Sequence, residues 1–215
     1  MQTAPPVTSA TPGRPVLNVD VVMRREPVTG PMARWQAWRW VLADVLPTGE
    51  PVLEPPGAPV PVPGAPRPVQ PLPGATTVAG AHYWLFPGHR VVLYRDDAEG
   101  YFLNIESPSP CFWVFWRADE ALLEGGEPMA VPQIVTLSYH DAGRWLDAQE
   151  KVEQVPAPPA VVAWLRDFVA QHHQIEPKRR KRPDSFKPLT DRFGQPARVS
   201  TDKLRRGGGT PGGGA

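Results

Sequence analysis

Apolar and polar residues alternate at period two over several short stretches of the chain, a pattern typical of β-strands with one buried face. Leu17–Met23 is the first such stretch, and its last residues are wholly apolar. Trp35–Leu46 is apolar on both faces and predicts a strand packed on both sides, although a short buried helix would give the same pattern. Further strands are predicted at His82–Phe86, Arg90–Arg95, Tyr101–Ile105, Cys111–Arg117 and Gln133–Leu137.

Turn-forming and acidic residues separate these predicted strands. Pro87-Gly88-His89 predicts a turn, and so do the acidic residues 96–100, which end at a glycine. Ala118–Met129 contains four acids and is predicted to loop out. Short strands in such quick succession favour an antiparallel meander curled into a barrel or a sandwich.

Helical periodicity appears only in the last third of the predicted domain. Ser138 stands three residues before Asp141, which matches a capping box and predicts that a helix begins there. A short extended piece, Val152–Val155, precedes a second helix over about Ala160–His173, with one apolar face. The predicted fold class is therefore α+β, with a curled antiparallel, barrel-like sheet of six or seven strands and two C-terminal helices. A pleckstrin-homology-like barrel is one candidate topology.

Proline and glycine are concentrated in three segments, and these set the predicted domain organisation. Residues 1–15 and 174–215 are predicted to be disordered, and residues 16–173 to form one domain. Residues 47–76 form an insert within that domain and hold 11 prolines, which favours extended polyproline II backbone. The insert could be a ligand for an aromatic groove or an expanded loop between two strands, and the loop is the favoured interpretation.

Charge is distributed unevenly along the chain. Residues 174–215 hold 11 Lys or Arg and four acids, whereas the rest of the chain holds 12 Lys or Arg and 18 acids. Such a tail could bind nucleic acid, contact an acidic protein surface or serve solubility. We rank nucleic acid last, because the body is acidic and the tail has only two aromatic residues. The candidate contact residues of the tail are Lys178, Arg179, Arg180, Lys181 and Arg182.

Catalytic signatures are sparse, which favours a non-enzymatic protein. No histidine has a recognised metal spacing, and no glycine-rich nucleotide loop or nucleophile elbow occurs, so no cofactor and no metal are predicted. The single cysteine, Cys111, lies in an apolar run and is predicted to be a buried hydrophobe. An active site assembled from distant residues stays possible as an alternative, in a polar pocket that would involve Tyr101, Asn104 or His140.

Tryptophan and arginine residues near the first two strands predict a contact surface, because these residue types commonly anchor protein interfaces. Core tryptophans with charges around the rim would produce the same pattern. The candidate partner-binding residues of the body are Arg24, Arg25, Trp35, Trp38, Tyr101 and Asn104.

Several segments together resemble one protein family. They are Val22–Glu26, Trp35–Pro47, Gly100–Ser107, Val135–Asp147 and the step Glu153–Pro156 into the last helix. In this pattern the chain is similar to the proteobacterial family filed as domain of unknown function 3305. The resemblance implies a link to molybdenum-dependent formate dehydrogenase, since members are often encoded beside its genes. It carries over no catalytic residue. Some members are labelled for molybdopterin-guanine dinucleotide synthesis, but this sequence lacks the glycine-rich nucleotide loop that such enzymes use.

We therefore expect a cytoplasmic accessory or assembly factor that binds a protein client, with formate dehydrogenase or one of its maturation factors as the implied client. No apolar stretch approaches 18 residues, and residues 1–15 lack the pattern of a secretory signal, so no membrane insertion is expected. An enzyme or cofactor-handling protein of molybdenum cofactor maturation is the alternative, and nucleic-acid binding through the tail is a second one. The oligomeric state is left open.

Overall fold

The computed structural model of the chain describes residues 13–71 and 77–174. The predictions for residues 1–12 and for residues 175–215, the basic cluster included, lie outside the described residues. The described residues form eight strands, three α-helices and two short 3₁₀ turns, Pro31–Arg34 and Arg95–Asp97. The strands are β1 (Arg14–Pro27), β2 (Trp38–Pro47), β3 (Val52–Glu54), β4 (Arg67–Val69), β5 (His82–Val92), β6 (Cys111–Glu124), β7 (Glu127–Thr136) and β8 (Lys151–Pro156), and the helices are α1 (Ala98–Ile105), α2 (Tyr139–Asp147) and α3 (Pro159–His172).

Strand β1 organises the first, five-stranded sheet. It pairs antiparallel with β2 on one side and with β5 on the other, and β4 adds to the outer edge of β5. Beyond the end of β2, the short β3 pairs with the first residues of β1. The alternating residues Leu17, Val19 and Val21 of β1 are buried in the core, which is what the period-two pattern predicts.

Strand β6 is the centre of the second sheet, which has the order β7-β6-β8 and is also antiparallel. One core lies between the two sheets and the helices α1 and α3. Polar contacts join the edges of the sheets. The Glu153 carboxylate accepts hydrogen bonds from the Leu42 amide at 2.7 Å and from the Trp116 indole at 3.3 Å, which links β2 to β8 and to β6.

The fold class is confirmed as α+β, with curled antiparallel sheets and two helices in the C-terminal region. The sheets are not closed into a barrel in the described residues. The predicted start of α2 is also confirmed, since the Ser138 hydroxyl accepts a hydrogen bond from the Asp141 amide at 3.2 Å. The Asp141 carboxylate does not complete the capping box; it accepts a hydrogen bond from the Thr136 hydroxyl at 3.0 Å instead.

The segment predicted as the strand Tyr101–Ile105 is helical, and that prediction was wrong. It forms most of α1, which follows the 3₁₀ turn at Asp97. Asn104 on this helix is fully buried and makes three hydrogen bonds. Its Nδ2 donates to the carbonyls of Cys111 at 2.9 Å and Leu137 at 2.8 Å, and its Oδ1 accepts from the Cys111 amide at 3.0 Å. Tertiary contacts therefore override the β-propensity of the aromatic residues around it.

Two predicted interruptions are parts of continuous strands. Pro87-Gly88-His89 does not end a strand; it lies within β5, where the pairing with β1 shifts register and Gly88 has a φ of 83°. A bulge adds one unpaired residue without ending the strand, and only glycine adopts this φ readily. The acidic segment Ala118–Met129 likewise continues β6 into β7 through a turn at Gly125-Gly126.

The proline-rich insert is partly built into the first sheet. Val52–Glu54 pairs with β1, and Arg67–Val69 pairs with β5. Strand pairing therefore holds the insert on both sides of residues 55–66. Val69 packs with Val22, Tyr83 and Leu85 in a small cluster outside the main core. Among the described residues, no helix is long and apolar enough to cross a membrane.

Replacing Asn104 with alanine is expected to lower the free energy of unfolding by roughly 3 kcal/mol or more, because two carbonyls and one amide would stay buried without partners. Urea unfolding followed by tryptophan fluorescence measures this loss. Leu103→Ala is the matched control on the same helix, since Leu103 is 37% exposed, and it should cost less than about 1 kcal/mol.

The variant Asn104→Asp distinguishes the contribution of the two N–H donors of Asn104 from that of its oxygen acceptor. The aspartate retains the oxygen that accepts from Cys111 but loses both N–H donors and brings a carboxylate towards two carbonyls. It should therefore be at least as damaging as alanine at neutral pH. A destabilisation no larger than that of the Leu103 control would show that the three hydrogen bonds do not hold α1.

Candidate functional site

Arg25, one of the predicted contact residues, is enclosed between the two sheets. Its residue exposure is 4%, and its Nη2 donates a hydrogen bond to the Glu127 carboxylate at 3.0 Å. The guanidinium lies 4.5 Å from the ring centre of Trp38, within the range of a cation–π contact. Gly125 passes so close that an added Cβ would stand 2.7 Å from Nη1. Arg25 and Trp38 therefore join the β6–β7 turn to the first sheet, and Arg25 is not available to a partner.

Arg24, its neighbour, belongs to a small ionic network on the other face of the sheet. The Glu26 carboxylate accepts from Arg24 Nε at 2.7 Å and from Arg39 Nε at 2.7 Å. Glu26 itself is only 4% exposed, so two arginines share one buried carboxylate. Arg39 is the exposed member, with 60% of its side chain accessible. This contact with Glu26 leaves only 19% of the Arg24 side chain accessible, so little of Arg24 is available for external contacts.

The 3₁₀ turn between β1 and β2 presents the exposed part of the predicted surface. Trp35 is 76% exposed and Met32 is 60% exposed. Backbone hydrogen bonds hold the turn, including Trp35 N–H to the Met32 carbonyl at 2.9 Å and Val28 N–H to the Ala37 carbonyl at 2.9 Å. Of the four predicted residues at this end, only Trp35 is thus a large apolar side chain open to solvent.

Tyr101 and Asn104 are core residues of the fold rather than surface residues. Tyr101 is 1% exposed, and its hydroxyl accepts from the Tyr94 amide at 3.1 Å. Burial raises the pKa of Tyr101 far above its usual value. The Tyr101 ring packs edge-on against Phe168 of α3 at 5.7 Å between centres, so it positions α3 on α1.

A groove beside α3 was not predicted from the sequence. Its first part has a volume of about 860 Å³ and lies between α3, the start of β1 and the segment that leads from β2 into β3. Its apolar walls include Leu53 on β3, which is 73% exposed, and Trp164 on α3, which is partly exposed. The lining residues are Pro15, Leu17, Pro47, Gly49, Glu50, Pro51, Val52, Leu53, Pro158, Ala160, Val161, Ala163, Trp164 and Asp167.

A second hollow of about 710 Å³ continues the groove towards the C-terminal end of α3. The two parts share Pro15, Leu53, Trp164 and Asp167, so together they follow most of the helix. Tyr94, which is 49% exposed, adds an aromatic wall, and the Arg14 guanidinium lies 5.5 Å from its ring centre. We call the two parts together the α3 groove.

The ends of the α3 groove differ in charge. Glu50 lines the first part, whereas Arg14 and Arg95 line the second. Neither arginine has an acidic group within ion-pair distance among the described residues. Asp96 and Asp167 lie on the same rim, so the charges are mixed around an apolar floor. Such a groove fits a peptide segment with apolar side chains and charged ends better than a small polar substrate.

A polar cluster joins α1 to α2 outside the α3 groove. His140 Nδ1 lies 3.8 Å from Asp97 Oδ1, and the Ser138 hydroxyl lies beside them. Gly100 is required between them, because an added Cβ would stand 2.5 Å from Ser138 Oγ. Burial raises the pKa of Asp97, the Ser138 hydrogen bond opposes that shift, and the charge of Asp141 adds to it.

Other candidate chemistry has a structural explanation in the described residues. Cys111 is 5% exposed, and burial raises the pKa of its thiol to about 11, which agrees with the predicted hydrophobic role. No group of His, Cys, Asp and Glu side chains in the described part of the chain is arranged to hold a metal ion. Neither part of the α3 groove includes Tyr101, Asn104 or His140.

The raised pKa of Asp97 predicts a pH-dependent stability with a defined sign. The folded protein holds this proton more tightly than the unfolded chain, so it loses stability as the pH rises from the ordinary aspartate pKa, about 4, through the raised value. Asp97→Asn keeps an acceptor for Ser138 and cannot ionise. The variant should therefore lose less stability than the wild type between about pH 4 and pH 7.

Urea unfolding at a series of pH values tests this, with Asp96→Asn as a control that removes one acidic charge from an exposed position. Parallel pH profiles for the wild type and Asp97→Asn would contradict the assignment.

Of three comparisons with known proteins, one places the chain in a family. No curated protein and no solved structure matches it. The model of the family described as protein of unknown function (DUF3305) matches residues 18–182, which include every described strand and helix except the first residues of β1. Since this match covers well over half of the chain, the protein belongs to the DUF3305 family.

Proposed function

We propose that this protein is a non-enzymatic accessory or assembly factor that acts in the cytoplasm and binds a protein client in the α3 groove. The observation that carries the proposal is the groove itself, where large apolar side chains stay exposed along a well-packed helix. Leu53 is 73% exposed and Val52 is 47% exposed, and both come from the insert strand β3. Exposed apolar surfaces of this kind mark binding sites on otherwise polar proteins.

The packing of α3 explains why the groove can bind without the fold changing. Val161, Leu165 and Phe168 are buried in the core, so the helix is fixed on that side. Trp164 and Asp167 face the groove on the other side. A rigid wall loses little conformational entropy when a client binds, which favours affinity.

The chemistry of the rim defines the client segment. Its apolar side chains would fill the space between Leu53 and Trp164. A carboxylate at one end would approach Arg14 and Arg95, which have no acidic partner among the described residues. These charges would set the direction of the segment more than its affinity.

We further propose that the client is a molybdenum-dependent formate dehydrogenase or one of its maturation factors. This part rests on the family, whose resemblance implied that genomic setting, and not on the groove. The two parts can therefore fail separately.

Leu53→Asp is expected to weaken client binding about tenfold or more, because it places a charge on the apolar wall. Leu53 is exposed, so the variant should fold like the wild type. The tagged full-length protein and the variant are purified from native cells, and the formate dehydrogenase subunits that co-purify with each are quantified. The affinity of the recovered subunit for the wild type and for the variant is then measured with purified proteins. Leu123→Asp, 58% exposed and outside the groove, is the matched control.

The outcomes separate the two parts of the proposal. Recovery by the wild type and the Leu123 control but not by Leu53→Asp supports both parts. Equal recovery by all three would move the binding site away from the groove. If the wild type recovers no formate dehydrogenase component, and deletion of the gene leaves formate dehydrogenase activity unchanged, the assignment of the client is wrong.

A further inference from the structure

Residues 55–66 cross from one side of the first sheet to the other as an exposed, proline-rich segment. Val60 and Val62 are 76% and 88% exposed, among the highest values for apolar residues in the described part of the chain. They alternate with Pro59, Pro61 and Pro63, so prolines and valines follow one another over five residues. None of these five residues belongs to a helix or a strand.

The fold holds this segment at three points. Before it, β3 pairs with β1, and after it, β4 pairs with β5. Between them, the Gly64 amide donates a hydrogen bond to the Pro87 carbonyl at 3.0 Å. Gly64 itself allows this approach, since an added Cβ there would stand 2.9 Å from Pro87 Cγ. A flexible spacer would need none of these ties.

The distance between the ties requires extended backbone. Glu54, the last residue of β3, pairs with Arg14, whereas Arg67, the first residue of β4, pairs with Leu85, which lies opposite Val22 of β1. Arg14 and Val22 are eight strand positions apart, which is about 26 Å. The 12 residues between β3 and β4 would cover only about 18 Å as an α-helix but about 37 Å as polyproline II. The first residues of the segment form a turn, in which the Ala58 amide donates a hydrogen bond to the Pro55 carbonyl at 3.2 Å. The residues after this turn must therefore be extended to complete the span, in line with their proline content.

The backbone of the segment is free to be recognised. No backbone group from Pro59 to Pro63 hydrogen-bonds another backbone group in the described part of the chain. The carbonyls of an extended proline segment accept hydrogen bonds from tryptophan and tyrosine side chains, and its prolines and neighbouring apolar residues pack against the aromatic rings. Because the ends are already held, binding orders few further residues.

We propose that Pro59–Pro63 is a polyproline II ligand that a partner protein binds in a groove lined with aromatic side chains. The span between β3 and β4 accounts for the extension of the segment, but it does not account for two valines held almost fully in solvent. This site is separate from the α3 groove and does not depend on the client proposed above, since neither part of the α3 groove includes Val60 or Val62.

A photo-reactive benzoylphenylalanine placed at Val62 of the full-length protein in native cells tests the proposal. The expected result is a covalent adduct with one protein, and peptide mapping should locate the attachment beside tryptophan or tyrosine residues of that protein. Pro59→Ala combined with Pro61→Ala should reduce the adduct at least about fivefold, because it removes two of the proline rings that would pack against the aromatic side chains of the partner. Both prolines are exposed, so unfolding curves should match those of the parent protein.

The same probe at Leu123, which is also exposed, gives the background level. Three outcomes would overturn the proposal. They are an adduct at Val62 no stronger than that at Leu123, an adduct unaffected by the two alanines, and an attachment site without aromatic neighbours. Leu53→Asp in the same background should leave the adduct unchanged, which separates this site from the α3 groove.

Discussion

The buried amide of Asn104 is the contact on which the position of the helices depends. It hydrogen-bonds the first residue of β6 and the residue that follows β7, so it attaches α1 to two neighbouring strands of one sheet. Tyr101 lies one turn earlier on α1 and packs against Phe168 of α3. Asn104 thus fixes α1, and the contact of Tyr101 with Phe168 then helps to position α3, together with the buried residues Val161 and Leu165 of that helix. Buried polar groups that are fully paired commonly specify one arrangement in this way.

Much of the fold follows from local pattern, and the errors share a physical cause. The strands and the two C-terminal helices show the periods of their buried faces, so Leu17–Met23 and Ala160–His173 were predicted at nearly the right places. Helix α1 was not predicted, because its eight residues include Tyr, Phe, Leu and Ile. The hydrogen bonds of Asn104 stabilise this helix, and they leave no periodic pattern of apolar residues in the sequence. The bulge at Gly88 was interpreted as a turn because both require glycine at positive φ.

The candidate surfaces were harder to predict than the fold. Tryptophan and arginine at the β1–β2 end indicated a contact surface, but the sequence does not show which of them is enclosed. Arg25 is covered by Gly125, a residue 100 positions away, whereas Trp35 is exposed on its turn. The α3 groove combines Pro15, Leu53, Tyr94 and Trp164 from four separate parts of the chain. No single segment of the sequence carries a signal for such a surface, and only tertiary structure brings its walls together.

The two short strands that hold the insert also determine how its length can change during evolution. Each pairs over three residues, and the register of β1 with β5 does not depend on what lies between them. Doubling the length of such a loop costs only about 0.6 kcal/mol in closure entropy, so residues can be added to the crossing at little cost in stability. Shortening has a limit, because about eight extended residues are needed to cover some 26 Å. A relative with a shorter crossing than this would have to give up β3 or β4, and without β3 it would also lose the Leu53 wall of the groove.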